Sequence, residues 1–325
     1  MPTITPNLNR AILDLRQGKP VAIPTETVYG LAAMIDQESA IKAVFTMKNR
    51  PLNHPLIVHV AQDTDLTEWV EELPAYAQKL IDHFWPGPLT LVLRSKPNAI
   101  NPLISGGQTT VAMRCPNHPI AQKLLLALKT PLVAPSANPF GKISPTTAEH
   151  VKRSFPESDL TILDGGRCEV GIESTIIDAT DPDGYQILRH GLIDEHALSA
   201  VIAAGPLKKE NTTRVPGRLE SHYQPQKTLY YFVDYESLSN FCQKRAGDVF
   251  AIASTKPLSV DSQYFRPLAT QAETAAFDLY FQLREADESH VICIAIELPP
   301  NESAWQGVRE RILKAGLPYS INPKP

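Results

Sequence analysis

The stretch KNRPLNHPLIVHV, Lys48 to Val60, joins the end of a helix to a buried strand and fixes the type of fold around it. A proline disfavours helical backbone at the residue before it, so Pro51 ends the preceding helix and puts Lys48 and Arg50 at its C-terminus. We expect both cations at an exposed helix end. The apolar run that follows has the two-residue period of a strand, which puts Ile57 and His59 on one face.

The rest of the first two hundred residues continues this mixture of strands and helices. A helix capped by Asn7 precedes the strand PVAIPT. Further strands are predicted at LTLVLR, TTVAMR, TPLVAPS, LTILDGG, STIIDAT and YQILRH, and helices at PIAQKLLLALK and SPTTAEHVKRSF. Because the strands outnumber the helices between them, the pattern favours an α/β domain with a mixed sheet over residues 1–204.

A second domain is predicted beyond a linker. Residues 205–226 are rich in proline, glycine and charge and lack periodic apolar positions. Strand and helix then alternate three times over residues 227–325, which is typical of a small parallel α/β/α domain of Rossmann-like type. Neither a G-x-G-x-x-G motif nor a P-loop motif occurs there.

Composition excludes several classes of protein. The chain has 325 residues, 43% of them hydrophobic, and a net charge of -4, so it has no overall basic field for nonspecific nucleic-acid binding. Its four cysteines are scattered without a C-x-x-C pair, which gives no support to a zinc, iron–sulfur or disulfide framework. We find no signal peptide and no apolar run long enough for a membrane span, and we expect a cytoplasmic protein.

Four stretches are more polar than their predicted positions require. They are PTETVYGLAA, K-x-R-P with NHPLIVH, VAPSANPFGKISPT, and ESTIID followed by ILRHG. Each has an ordinary structural explanation: a strand-to-helix turn, a packed core histidine, cations at a helix C-terminus, or Ser144 as the N-cap of the next helix. The polar residues of the last stretch, Ser174 and Arg189, are expected at or near strand ends.

Taken together and in this order, the four stretches resemble the threonylcarbamoyl-AMP synthase family, whose core is the YrdC-like domain. The resemblance implies a mixed, twisted sheet with a concave active-site cleft for residues 1–204. The linker stretch RVPGRLESHYQP is similar to the signature of the two-domain branch of that family, with Arg218 and Glu220 departing from its common basic spacing. The resemblance implies an L-threonylcarbamoyladenylate synthase, a nucleotidyltransferase that makes threonylcarbamoyl-AMP and pyrophosphate from L-threonine, bicarbonate or CO2, and ATP.

The resemblance also implies which residues form the site. Those implied for L-threonine are Thr27, His59, Arg114, Ala134 and Ser174. Those implied for ATP are Lys48, Arg50, His54, Thr110, Ser136, Asn138, Ser144, Arg189 and Tyr223. Lys48 and Arg50 are the candidate catalytic residues. No metal-binding residues are assigned, and Mg2+ is expected to be carried with ATP. The product is expected to pass to the tRNA threonylcarbamoyl transferase machinery, with possible direct tRNA contact and no membrane contact.

The chemistry suits these residue types. A carbamate oxygen attacks the α-phosphorus while pyrophosphate leaves in line, so the protein must position two anionic reactants and neutralise developing charge. His222 and Tyr223 suggest that the linker closes over the nucleotide as a lid. Two alternatives remain: a noncatalytic tRNA- or RNA-binding module, and a hydrolase that uses Ser136 or Cys115, for which no G-x-S-x-G motif is found.

Overall fold

The computed structural model describes residues 1–207, 213–217, 222–257 and 259–319. The chain divides into two compact units, of which the first comprises Met1–Phe140 and Ser144–Arg218 and the second Gly141–Ile143 and Leu219–Pro325. Within the predicted linker, residues 208–212 and 218–221 lie outside the described residues.

The first unit is built on a ten-stranded sheet. It is a mixed sheet, as the sequence predicts. Its strands are β1 (Thr3–Thr5), β2 (Val21–Ile23), β3 (Gly30–Met34), β4 (Ile57–His59), β5 (Leu89–Arg94), β6 (Thr110–Arg114), β7 (Leu132–Val133), β8 (Thr161–Leu163), β9 (Thr175–Asp181) and β10 (Gly184–Arg189). Their order in the sheet is β1-β8-β2-β3-β7-β4-β6-β5-β9-β10.

Seven α-helices accompany this sheet in the described residues. They are α1 (Leu8–Arg16), α2 (Glu38–Lys48), α3 (Ala75–Phe84), α4 (Pro102–Ser105), α5 (Pro119–Leu128), α6 (Ala148–Ser154) and α7 (Glu195–Ser199). Asn7 caps α1 by accepting a hydrogen bond from the backbone N–H of Arg10, as predicted. Helix α2 ends at Asn49, which adopts left-handed backbone with φ of 50°, and Pro51 follows it.

The two faces of the sheet differ in what covers them. One face contributes Val58, Leu91 and Met113 to the main core of the unit. On the other face, α1 and α5 pack over residues such as Ile23 and Leu132, forming a separate apolar cluster. Because paired residues on neighbouring strands share a face, this second face also carries His59, Arg114 and Thr90.

The second unit contains a five-stranded parallel sheet, in agreement with the prediction. Its strands are β11 (Thr228–Phe232), β12 (Val249–Ala253), β13 (Phe265–Pro267), β14 (Cys293–Glu297) and β15 (Leu317–Pro318), in the order β13-β12-β14-β11-β15. Its helices are α8 (Tyr235–Lys244), α9 (Ala272–Glu288) and α10 (Gln306–Ala315). The central strands bury Phe232, Ala251 and Ala295 in one apolar cluster.

Within the part of the chain that the structure describes, none of the helices combines the length and the apolar character needed to cross a membrane.

Candidate active site

The residues implied for threonine meet where β4 and β6 lie side by side. His59 is directly paired with Arg114 in the parallel register, and both side chains are buried. The Arg114 guanidinium donates to the carbonyl of Gly87 at 3.2 Å and to Oγ1 of Thr27 at 2.8 Å. Its Nη2 lies 2.6 Å from Oε1 of Glu26. Arg114 is therefore held in one orientation by three different groups before any substrate binds.

The contact between Glu26 and Arg114 is an ion pair in a buried environment. The side chains of Glu26 and Arg114 are 3% and 5% exposed, and neither Glu26 oxygen accepts an aligned hydrogen bond from the described residues. A buried charge is tolerated only when an opposite charge or hydrogen bonds compensate for its lost hydration. Each member of this pair compensates the other, so this part of the site is close to neutral.

His59 is a neutral imidazole in the folded protein. Burial lowers its pKa to about 3, with a further contribution from the positive charge of Arg114, while a hydrogen bond to the Ile57 carbonyl acts in the opposite direction. Its Nδ1 lies 3.3 Å from that carbonyl oxygen, which can only accept. Nδ1 therefore carries the proton, and Nε2 is left as a hydrogen-bond acceptor.

Ala134 and Ser174 complete the set implied for threonine. The Ala134 N–H donates to the Ile57 carbonyl at 3.2 Å, which places Ala134 beside β4. A Cβ atom at Gly30 would lie 3.0 Å from that of Ala134, so a residue without a side chain suits this close approach. Ser174 comes directly before β9, and its Oγ is 2.7 Å from Oγ1 of Thr90.

Lys48 holds the loop that follows β7. Lys48 is 1% exposed, and its Nζ donates to the carbonyls of Ser136 and Asn138. The Lys48 carbonyl in turn accepts from the N–H of Phe140 at 2.7 Å. Burial lowers the pKa of Lys48 well below its usual value, the charge of Arg50 lowers it further, and Glu173 opposes both effects.

Arg50 is buried beside Lys48, so the expectation of two cations at an exposed helix end is wrong. Arg50 is 7% exposed, and its Nη2 donates to the Pro55 carbonyl at 2.8 Å. Burial lowers its pKa to about 10. Both cations are buried because the loops after α2 and β7 fold over them and supply carbonyl acceptors.

Phe140 packs against two of the residues implied for the nucleotide. The Arg50 guanidinium lies 5.4 Å from the centre of the Phe140 ring, and the His54 ring meets it edge-on at 5.1 Å. Burial lowers the pKa of His54, as do the positive charges of Arg50 and Arg214. The sequence reasoning did not select Phe140, although it lies inside the quoted stretch VAPSANPFGKISPT.

Glu173 and Ser174 link the two halves of the site. Ser144 donates to Oε1 of Glu173 at 2.6 Å, and Arg189 donates from Nη2 to Oγ of Ser174 at 3.0 Å. The role of Ser144 as a helix cap is therefore wrong, because Thr147 caps α6 by accepting from the N–H of His150. Ser144 is instead tied to a carboxylate at the start of β9.

The remaining predicted residues are placed less directly. Thr110 shares a strand face with Arg114 but lies four residues away, about 13 Å along β6. Ser136 pairs with Gly30 in an isolated β-bridge. Tyr223 belongs to the second unit, where it is 1% exposed and its ring centre lies 5.9 Å from that of Tyr280.

One described part of the linker, residues 213–217, belongs to the first unit; we call it the strap. Val215 is buried with Ile57, Ala112 and Ile176 on the sheet face that carries Arg114. Arg189 donates from Nη1 to the Pro216 carbonyl at 3.2 Å. This face of the sheet therefore carries two apolar clusters, one packed against α1 and α5 and the other against the strap. The polar residues His59, Arg114 and Thr90 lie between them.

The burial of Cys115 bears on the hydrolase alternative. Cys115 is buried, and burial raises its pKa to about 11, which leaves little reactive thiolate at neutral pH. The contacts above add Glu26, Thr90, Phe140 and Glu173 to the site. Glu26, Phe140 and Glu173 stand inside the quoted motifs, so motif membership was the available signal.

Comparison with known proteins identifies the family. A family model of the Sua5, YciO and YrdC proteins, described as "Telomere recombination", matches residues 14–191, and one described as "Threonylcarbamoyl-AMP synthase, C-terminal domain" matches residues 193–316. The threonylcarbamoyl-AMP synthase of Bacillus subtilis is 36% identical, over 96% of this chain and 94% of the relative. That of Pyrococcus abyssi is 35% identical, over 93% and 91% of the two chains.

Structural comparison agrees with these matches. A crystal structure of P. abyssi Sua5 complexed with L-threonine superposes with a TM-score of 0.86 and 33% identity, covering 97% of each chain. The matches span both units and nearly the full length of the relatives. The chain belongs to the threonylcarbamoyl-AMP synthase family, whose members are ATP-using enzymes of tRNA modification.

Proposed function

We propose that this chain condenses L-threonine, bicarbonate or CO2, and ATP into threonylcarbamoyl-AMP and pyrophosphate in the cytoplasm. The observation that carries the proposal is that two groups of buried residues adjoin at Glu173 and Ser174. The group around Arg114 suits an amino acid, and the buried cations Lys48 and Arg50 suit a polyphosphate. The product would supply the threonylcarbamoyl group for tRNA threonylcarbamoyladenosine, through a separate transferase machinery.

On the amino-acid side, we assign Arg114 to the threonine carboxylate. Its guanidinium has five N–H donors, and the contacts with Gly87, Thr27 and Glu26 leave further donors for a ligand. Thr27, His59, Ala134 and Ser174 form the rest of this side. The neutral Nε2 of His59 can accept a hydrogen bond from the substrate but cannot repel its ammonium group.

On the nucleotide side, we assign Arg50 and Lys48 to the phosphates. Thr110, Ser136, Asn138 and Ser144 would contribute polar contacts, with His54, Arg189 and Tyr223 as further nucleotide contacts. Lys48 and Arg50 have lost hydration on burial, so negative charge beside them is favourable, and phosphate oxygens would supply it. Charge that builds up on the leaving pyrophosphate would be stabilised by the same groups.

Mg2+ enters this proposal as part of the MgATP substrate. Among the described residues, no group of three or more His, Cys, Asp or Glu side chains is arranged to hold a metal ion. Mg2+ commonly keeps several waters and binds through substrate phosphates, which requires no protein cage.

The test is pyrophosphate release by the purified chain with MgATP, leaving out threonine or bicarbonate in turn. The proposal expects release that needs both, and a product that yields threonine and CO2 on hydrolysis. Serine lacks one methyl group and should be poorer by about 1 to 3 kcal/mol in kcat/KM. Release that is indifferent to threonine and bicarbonate, or tRNA binding without any pyrophosphate release, would refute the synthase assignment.

A further inference from the structure

Gly87 lies in the segment of residues 85–88, which joins α3 to β5 beside the amino-acid side of the site. It is buried, and a Cβ atom built on it would lie 2.2 Å from the carbonyl oxygen of Phe84. Atoms at that distance overlap, and because the oxygen belongs to the backbone, it can move only if the segment moves. The path of the chain through this segment therefore requires a residue without a side chain.

Both backbone polar groups of Gly87 are used at the end of β6. Its N–H donates to the Cys115 carbonyl at 2.8 Å, and its carbonyl accepts from Nε of Arg114 at 3.2 Å. The direction of the second bond is fixed, because a guanidinium can only donate and a carbonyl oxygen can only accept. Gly87 thus holds the Arg114 side chain and also the backbone next to it.

The same segment holds the start of β9. The Thr175 N–H, directly after Ser174, donates to the Pro88 carbonyl at 3.0 Å. Strand β5 lies between β6 and β9 in the sheet, so residues 87 and 88 connect the strand that ends at Arg114 with the strand that follows Ser174. Both of those residues are assigned to threonine, so the segment sets the spacing of two groups on the amino-acid side.

We propose that Gly87 is a positioning residue that presents the Arg114 guanidinium to the carboxylate of the substrate amino acid. The inference rests on the proposed function. Because Nε is bonded to Gly87, the donors left for the carboxylate belong to Nη1 and Nη2, each of which has two hydrogens. Nη1 gives one of them to Thr27, and Nη2 pairs with Glu26. Gly87 acts through Arg114 and does not itself bind the substrate.

The experiment compares Gly87→Ala with Gly184→Ala in the full chain. Gly184 is the matched control: it is also buried in the first unit, and a Cβ atom on it would lie 2.6 Å from the Gly205 carbonyl oxygen. It pairs with Asp181, at the end of β9 remote from Ser174, so it creates the same kind of overlap away from the site. Calorimetric titration gives Kd for threonine and Kd for MgATP.

Gly87→Ala should raise Kd for threonine about three- to tenfold, because an arginine that is no longer held loses side-chain entropy when it binds a carboxylate. Kd for MgATP should stay within about twofold, because Lys48 and Arg50 are held by the loops after β7 and α2. Gly184→Ala should lower the melting temperature and change neither Kd.

The Nε–H group of Arg114 gives a second readout that needs no ligand. Its NMR signal in protein with isotope-labelled arginine is assigned by its loss in Arg114→Lys. Exchange of this proton with solvent should be slow in the wild type and about tenfold faster in Gly87→Ala, the effect of losing one hydrogen bond. Gly184→Ala should leave the exchange rate unchanged.

Four results would overturn the proposal: an unchanged Kd for threonine in folded Gly87→Ala, equal increases in the two Kd values, an equal rise in Kd for threonine in Gly184→Ala, or an unchanged exchange rate of the Nε–H proton. If Gly87→Ala does not fold, Pro88→Ala replaces it. That variant keeps the glycine and removes the restriction that a proline places on the residue before it, so Kd for threonine alone should rise at least about twofold. A wild-type protein that binds no threonine would refute the proposed function, whereas the exchange rate would still show whether Gly87 holds Arg114.

Discussion

The two halves of the candidate site balance their charge in different ways. On the amino-acid side, Arg114 is paired with the Glu26 carboxylate at 2.6 Å. On the nucleotide side, Lys48 and Arg50 donate to backbone carbonyls, which are neutral, and burial lowers the pKa of both. The first half is already neutral before a substrate with both charges arrives, whereas the second half favours a ligand that brings negative charge.

This difference matches the charges of the proposed substrates. A zwitterionic amino acid brings no net charge, so a neutral pair can bind its two ends without a large change in electrostatic energy. A triphosphate brings several negative charges and gains most beside buried cations that neutral carbonyls only partly stabilise. Glu173 moderates the nucleotide side, since it attracts the Lys48 ammonium and accepts from Ser144.

The largest expected effect comes from making the amino-acid half resemble the nucleotide half. Glu26→Gln removes the carboxylate and leaves Arg114 as a buried cation, which should lower the free energy of unfolding by about 4 kcal/mol. Threonine, through its carboxylate, should then raise the melting temperature of the variant more than that of the wild type. A smaller threonine-induced shift in the variant would contradict the neutral-pair interpretation.

Arg50→Ala should impair the nucleotide half, with a large loss of activity and a small change in stability. Losing one contact that stabilises transition-state charge should reduce kcat/KM for ATP by about 3 kcal/mol, roughly a hundredfold. Stability should change little, because the deletion also removes a buried charge. The measurement is kcat/KM alongside the melting temperature, with Arg50→Lys as the variant that keeps the charge. Parallel losses of stability and activity would instead indicate a structural cation.

A feature of this structure could be predicted from the sequence when the interacting residues lie close together along the chain. Pro51 ends α2, and the apolar runs become strands, because these signals act within a few residues. Strands β1, β3, β13 and β15 were missed: β3 has the small-residue sequence GLAAM, and the others are two or three residues long. Short strands form because a neighbouring strand supplies their hydrogen bonds, which a local pattern does not record.

The same limit applies to the site. Motifs indicated which residues to consider, but not how they pair. The carbonyl partners of Lys48 are 88 and 90 residues away along the chain, and Glu173 is 29 residues from Ser144. Local reasoning therefore put Lys48 at an exposed helix end and offered a helix cap as the structural explanation of Ser144. Both errors arise because loop folding, which buries these groups, is set by contacts far apart in sequence.

The neutrality of His59 should be visible in the dependence of stability on pH. Its pKa falls from an ordinary value of 6.5 to about 3 on folding, so between these values the unfolded chain binds one more proton than the folded protein. Stability therefore decreases as pH falls below 6.5, by about 1.4 kcal/mol per pH unit. His59→Phe should remove this contribution, so the loss of stability between pH 7 and pH 5 should be smaller by about 2 kcal/mol. Urea unfolding at both pH values measures it, and identical losses in the two proteins would contradict a neutral His59.

The smallest expected effect concerns the strap. Arg214 donates from Nη1 to the Asn53 carbonyl at 2.9 Å and from Nη2 to the Gly106 carbonyl at 2.7 Å, so it fastens the strap to the loop that carries His54. Gln108 pairs with the backbone of the same residue. Because the Arg214 side chain is exposed, we expect its removal to cost less than about 1 kcal/mol.

Arg214→Ala should therefore raise KM for ATP about threefold and leave KM for threonine unchanged, since this loop contacts Arg50 of the nucleotide half. Removing the positive charge should also raise the pKa of His54, which an NMR titration of its ring protons can follow.

Arg94→Ala is the control, because Arg94 also lies at the surface of the first unit and donates to a backbone carbonyl, that of Thr180, at 3.0 Å. Equal effects of the two substitutions on KM for ATP, or a rise in KM for threonine, would mean that the strap does not act through the loop at His54. A selective effect of Arg214→Ala would show that the linker contributes to the nucleotide half through residues 213–217.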